Sequence, residues 1–289
     1  MLTPPMSVPK TLLWLVTNRA SGSNDDDTLG AVISALTASG HAPAKVIDCA
    51  ADPLPTRADL EAAGVGVLAV FTGDGTLSAA VPPLAGWAGH VLVLPGGTSN
   101  LLAHVLHQPC ETAAIIAALA DGTARSIQRP CVHAGQHTAL CEVLAGPGAK
   151  WSDVREELRE GDLGTIAASA IDAVKHSASG AMVLVAEPAL GHAEGYAGVR
   201  IVPTELGLTT DGYRADGVSD LLKHGAALLK RDFREGPHDE LGTHPELLCR
   251  SADGSAIELM IDGERVTGAP QERFSLAMLA VNLLATGHD

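Results

Sequence analysis

Four apolar runs, each ending in a short polar loop with helical spacing beyond it, constrain this chain more than any other feature. They are residues 11–17 (TLLWLVT), 44–48 (AKVID), 65–71 (VGVLAVF) and 90–95 (HVLVLP). The runs at 11–17 and 65–71 read as buried strands, and those at 44–48 and 90–95 as further strands. Between the runs, residues 28–39 place Leu29, Val32, Ile33 and Leu36 at helical spacing, with Gly40 as a stop. Short helices are expected at 59–63, after Thr76 and at 101–107, and residues 111–120 form another, closed by Asp121-Gly122. Alternating strand and helix over the first 122 residues predicts an α/β domain with a parallel sheet and helices on both faces.

Beyond Arg125 the pattern changes. Short β-like runs appear at 126–133, 137–145, 181–187, 197–202 and 256–261, interrupted by helical spacing over 153–158 and 166–176. This predicts a mostly antiparallel, β-sandwich-like α+β domain, with a boundary near Arg129-Pro130.

Three of the strand-ending loops are alike in composition. They are Asn18-Arg19-Ala20-Ser21-Gly22, Gly73-Asp74-Gly75-Thr76 and Pro95-Gly96-Gly97-Thr98-Ser99-Asn100. Loops at the carboxyl ends of parallel strands face one crevice, where ligands bind. Glycines admit close backbone approach, and free N–H groups at helix starts attract anions. An aspartate in such a loop repels phosphate unless a divalent cation lies between them, so Asp74 suggests Mg²⁺ held against a nucleotide. A GxxxxGK[ST] loop is absent, and no GxGxxG follows the first strand, so neither standard nucleotide fingerprint applies.

Composition narrows the class. Of 289 residues, 46% are hydrophobic, which excludes global disorder, and with 3% aromatics the core falls to Val, Leu, Ile and Ala. A formal net charge of −15 argues against nucleic acid as a partner. Five scattered cysteines without CxxC spacing suit a reducing cytoplasm. The N-terminal apolar run at Leu12–Val16 is too short for a signal h-region, and Leu276–Ala285 is too short to span a bilayer. His133 and His137 stand four apart but in β-like context, which does not favour zinc.

The GDGT loop followed by Pro95, Gly97, Thr98 and Asn100 resembles the catalytic domain of the diacylglycerol kinase family, which includes bacterial lipid kinases and sphingosine and ceramide kinases. That family's first loop, N-P-x-S-G, matches Asn18, Ser21 and Gly22; its second, G-G-D-G-T, matches Gly73 to Thr76. Its acidic D-G-E near the C-terminus matches Asp262-Gly263-Glu264. Arg19 replaces the usual proline, Thr72 the usual first glycine, and Leu101 an aspartate common after the asparagine.

The resemblance implies an ATP- and Mg²⁺-dependent kinase that phosphorylates a hydroxyl of a diacylglycerol-like or sphingoid lipid. Residues 1–126 would be the nucleotide-binding domain and 127–289 a lipid-binding β-rich domain, with the last ~15 residues able to return to the first. By match of motif, Asn18, Ser21, Gly22, Gly73, Gly75, Thr76, Gly97, Thr98 and Asn100 would line ATP, and Asp74 would contact Mg²⁺. Thr76 would cap the turn that follows or touch the nucleotide. Glu264, supported by Asp262, would deprotonate the lipid hydroxyl. An Asp/Glu pair two apart on an extended segment points both carboxylates to one face, whereas Asp-Gly is also a common hairpin turn; a turn presenting Glu264 satisfies both readings. Asp211-Gly212 resembles a remnant of the family's acidic segment near a second, structural Mg²⁺.

Residues 216–234 combine Val218, Leu221, Leu222 and Leu229 with Lys223, Lys230, Arg231 and Arg234, which suits either an ordinary surface helix or peripheral contact with an anionic membrane. An exposed sheet edge would allow a homodimer. Two alternatives stand beside the lipid kinase: a soluble-metabolite kinase of the NAD kinase type, which usually carries an Asn-Glu motif not found here, and a catalytically degenerate lipid- or nucleotide-binding protein.

Overall fold

The computed structural model describes residues 11–19, 26–147, 181–214 and 238–287. The helical spacing expected at 153–158 and 166–176 and the basic stretch at 216–234 lie outside them. The chain forms two compact units, residues 1–129 with 278–289, and residues 130–277.

In the first unit, β1 (Leu12–Thr17), β2 (Lys45–Asp48), β3 (Val65–Thr72) and β4 (His90–Pro95) are parallel. The six-stranded sheet runs β2-β1-β3-β4-β17-β5, where β5 is Arg125–Ile127 and β17 is Asn282–Ala285. Strand β17 pairs parallel to β4 and antiparallel to β5. The apolar pattern assigns residues 126 and 127 to a longer strand of the β-rich region. They pair instead with β17, because the edge of the sheet needs a partner for its free N–H and C=O groups.

Period-two alternation sorts the strand residues onto two covered faces. Leu13, Leu15, Val67, Ala69, Phe71, Leu92 and Leu94 pack with α1 (Asp26–Ala38) through Leu29, Val32 and Leu36. The same cluster takes Ile115, Ile116 and Leu119 from α5 (Thr112–Ala120). Val16, Leu68, Val70, Val91 and Val93 point the other way and are fully buried as well. Helices α2 (Arg57–Ala62), α3 (Asp74–Ala80) and α4 (Leu101–Leu106) bring Leu60, Leu77, Leu102 and Leu106 to the interior. Helix α2 is fixed by a capping box: the Thr56 hydroxyl accepts from Asp59 N–H while the Asp59 carboxylate accepts from Thr56 N–H.

The second unit is built from two antiparallel sheets. One runs β12-β11-β10-β8-β14-β15, comprising Asp239–His244, Gly207–Tyr213, Gly198–Thr204, Val143–Ala145, Glu258–Ile261 and Glu264–Thr267. The other runs β7-β6-β16-β13-β9, comprising His137–Ala139, Pro130–Ala134, Gln271–Met278, Glu246–Ser251 and Val183–Glu187. Inward residues of both, among them Val143, Val199, Ile201, Leu208 and Leu259 from the first and Val132, Val185, Leu247 and Phe274 from the second, form a single core. Strands β11, β12, β13, β15 and β16 do not stand out in the sequence. Thr209, Asp211, Glu240, Arg250, Glu264 and Arg273 interrupt the apolar pattern there, because one side of each strand faces solvent.

Among the described residues, His107 is the one histidine sealed inside the first unit, 1% exposed. Its Nε2 lies 2.9 Å from the Val93 carbonyl, and its Nδ1 3.0 Å from the Thr286 hydroxyl. A carbonyl only accepts, so Nε2 carries the proton and the neutral ring takes the Thr286 hydroxyl at Nδ1. Burial holds the ring at a pKa of about 4, below the ordinary 6.5. As pH falls from 6.5 toward 4, the unfolded chain binds a proton that the folded chain refuses, so stability declines across that window. The urea midpoint is therefore expected to drop between about pH 7 and about pH 5, and to drop less in His107→Gln.

Candidate functional site

The carboxyl ends of β1, β3 and β4 carry the three loops singled out from the sequence. Helix α3 begins at Asp74, earlier than the stretch after Thr76 where its apolar spacing predicts it. Gly73 is its N-cap, and Asp74, Gly75 and Thr76 form its first turn. Thr76 therefore does not cap the helix. Its hydroxyl lies 3.4 Å from Asn18 Nδ2, linking the end of β1 to the first turn of α3. Gly73 has no side chain to cap α3, so the helix's first N–H groups meet no capping oxygen from it.

The loops after β3 and β4 meet backbone to backbone. A Cβ built on Gly97 would stand 2.5 Å from Gly73 Cα, and one on Gly96 would stand 2.7 Å from Thr72 N. No side chain fits either place, which explains two of the glycines by packing alone. Asn100 takes φ 48°, a left-handed conformation that asparagine tolerates. Its Oδ1 accepts from Gly97 N–H and its Nδ2 donates to the Gly97 carbonyl, both at 2.8 Å, closing the loop on itself. Asp74 Oδ1 accepts from Leu102 N–H at 3.3 Å, tying the start of α3 to the start of α4. Asp74 thus sits half-buried at the meeting of two helix N-termini.

Around this rim, Thr98 is exposed, and Leu101 opens α4 half-buried, where the family more often has an acid. Arg19 is exposed, with its N–H on Asp48 and its guanidinium 3.2 Å from Asp26. Ser21 and Gly22 lie outside the described residues. Cys110, near Asp74, has its thiol pushed up by burial and then by the Asp74 charge. Cys49, near Thr76, is likewise raised by burial, against a lowering hydrogen bond from Thr76. Neither cysteine is marked by the sequence, because an isolated cysteine carries no spacing signal.

In the second unit, Asp262-Gly263 is a two-residue hairpin turn between β14 and β15, with φ of 48° and 95°. Ile261 pairs with Glu264 across it. The two acids therefore straddle a turn rather than sharing the face of an extended segment, since positive φ at both turn residues breaks the period-two alternation. Glu264 is exposed on the first position of β15. Asp262 is 2% exposed, and its carboxylate accepts from the N–H groups of Leu140, Cys141 and Glu142. Asp211 faces a guanidinium: Arg200 lies 3.6 Å from it and also binds Glu142 at 2.9 Å. His133 and His137 belong to the β6–β7 hairpin, where His133 Nδ1 meets the Thr138 hydroxyl. Among the described residues no cluster of three His, Cys, Asp or Glu side chains forms a metal cage, and no helix is long and apolar enough to cross a membrane.

Residues 12–130 match the diacylglycerol kinase catalytic domain. A solved diacylglycerol kinase from Bacillus anthracis str. Sterne shares the fold over 95% of this chain and 97% of its own, with a TM-score of 0.60 at 14% identity. Two further solved chains from that organism cover the same shares, with TM-scores of 0.58 and 0.60 at 15% identity. No curated protein matches the chain by sequence.

The close approach of the two loops makes Gly97 a sensitive position. Gly97→Ala is expected to cost about 1–3 kcal/mol, from a methyl forced into the Gly73 backbone. Urea unfolding of the variant beside the wild type measures it.

Proposed function

We propose that this chain, whose residues 12–130 match the diacylglycerol kinase catalytic domain, transfers the γ-phosphate of ATP to a hydroxyl of a diacylglycerol-like or sphingoid lipid. The observation that carries the reading is the rim at the carboxyl ends of β3 and β4. There the paired glycine loops leave backbone without side chains, and Asp74 stands between two helix N-termini. We read this edge as a place for phosphate oxygens, with one carboxylate where a divalent cation would be wanted.

Gly73, Gly75, Gly97 and Asn100 would line the nucleotide, and Asn18 and Thr76 would flank it from the end of β1. The residues present fit Mg²⁺: Asp74 offers a half-buried carboxylate, a hard oxygen ligand of the kind that ion takes. Asp74 would hold the metal, whose chemistry there is to neutralise charge on the phosphate oxygens. A single protein carboxylate is enough for such an ion, which keeps much of its water and binds substrate phosphates. Glu264, exposed at a fixed turn, would accept the proton of the acceptor hydroxyl. The acceptor would be met at a membrane surface, to which the protein binds peripherally.

The test is transfer of labelled γ-phosphate to diacylglycerol, ceramide, a sphingoid base and phosphatidylglycerol in mixed micelles, with NAD as soluble control. One labelled lipid is expected. Label should fall by about 10²–10⁴-fold in Glu264→Gln and at least as far in Asp74→Asn, with both variants folded by circular dichroism. Label confined to NAD would overturn the lipid reading, and full activity in folded Asp74→Asn would overturn the metal assignment.

A further inference from the structure

Asp262 is placed unlike a proton acceptor. It is 2% exposed, sits at φ 48°, and its two oxygens take three backbone N–H groups. Leu140 N–H donates to Oδ2 at 2.6 Å; Cys141 and Glu142 donate to Oδ1 at 2.8 and 2.9 Å. The bond is returned by Asp262 N–H, which donates to the Glu142 carbonyl at 3.1 Å. A carboxylate that satisfies three buried donors is committed, because withdrawing it would leave those donors unpaired away from water. Charge-assisted bonds of this kind are also the strong ones.

The bonds join two particular places. Residues 140–142 lead into β8, and Asp262 follows β14; the two strands are neighbours, with Ile261 opposite Val143. Asp262 therefore fastens its own turn to the segment that connects β7 to β8. That segment is anchored in its own right. The Glu142 carboxylate, 7% exposed, binds Arg200 on β10 at 2.9 Å, and Arg200 reaches Asp211 on β11. A continuous series of polar contacts thus runs from β11 through Arg200 and Glu142 to Asp262, and Glu264 is two residues further on.

We propose that Asp262 is a positioning residue, whose clamp on the Leu140–Glu142 backbone fixes the hairpin turn and thereby the carboxylate of Glu264. This rests on the reading of Glu264 as the base. It assigns the two acids different tasks: the exposed one meets the hydroxyl, and the buried one holds it in place. A displacement of about 1 Å at a reacting group is enough to cost about 10²-fold in rate.

The experiment uses the full chain with Asp262→Asn, Glu264→Gln and the double variant. Asparagine tolerates the left-handed backbone, so it keeps the turn while replacing one acceptor oxygen by an amide that faces donors. In Asp262→Asn, kcat should fall about 10- to 100-fold with KM for ATP unchanged. The double variant should be no slower than Glu264→Gln alone, because a residue that acts through Glu264 has nothing left to act on. Losses that multiply would overturn the proposal and make Asp262 independent of Glu264.

A second measurement needs no turnover. The amides of Leu140, Cys141 and Glu142 should exchange with solvent about tenfold faster or more in Asp262→Asn, and likewise in Asp262→Gly, which suits the same backbone. Unchanged exchange would overturn the clamp. A wild-type rate in Glu264→Gln alongside faster exchange in Asp262→Asn would overturn the base and its positioning together while leaving the clamp as structure. The two failures are therefore distinct.

Discussion

Strand β17 hydrogen-bonds to β4 on one side and to β5 on the other, and the first unit's sheet is continuous only because of it. Without it, β4 would expose a row of unpaired backbone groups at the edge of an apolar sheet. The strand comes from residues 282–285, after the whole second unit has been made, so the first unit closes around an insertion of residues 130–277 in the chain. A cover of Leu283 and Leu284, both fully buried, goes with that pairing. Thr286, just beyond, completes the hydrogen bonding of His107 beneath β4. The last residues of the chain thus hold the strand that ends at Pro95, where the third glycine loop begins.

From that frame the site is made mostly by backbone. Parallel strands deliver their carboxyl ends to one edge, and the loops that leave them touch without side chains between, Gly97 on Gly73 and Gly96 on Thr72. Asn100 stiffens one loop by bonding both polar groups of Gly97, and Asp74 ties the two helices that follow. Such a rim is fixed by its own hydrogen bonds and by backbone packed on backbone. In the second unit a side chain does the fastening. Its Asp262 commits a carboxylate to three N–H groups, and the exposed acid beside it is held on a short turn.

Much of this was legible in residues. The runs 65–71 and 90–95 are apolar without a break because both faces of the sheet are covered, and that pattern is visible without coordinates. The glycines, Asp74 and Asn100 were visible as a recurring kind of loop. The strands from Gly207 to Met278 were less so: polar residues on their solvent sides interrupt them, and a strand of six or seven residues with such interruptions looks much like a loop. Asp262 shows the same limit at one residue. Its position before a glycine announced a turn, but nothing local to it announces Leu140 or Glu142, more than a hundred positions earlier.

The sequence by itself determined the local things: which segments are strands buried on both faces, where glycine permits close approach, and which loops end in acids. These follow from side-chain size, branching and charge within a few neighbours. Only the tertiary structure decided the tasks that depend on who stands opposite. It gave Gly97 its reason in Gly73, gave Asp211 an arginine, returned β17 to the first sheet, and separated a buried Asp262 from an exposed Glu264. Hydrogen bonds and van der Waals contacts act only over a few ångströms, and it is folding that brings residues far apart in sequence within that range.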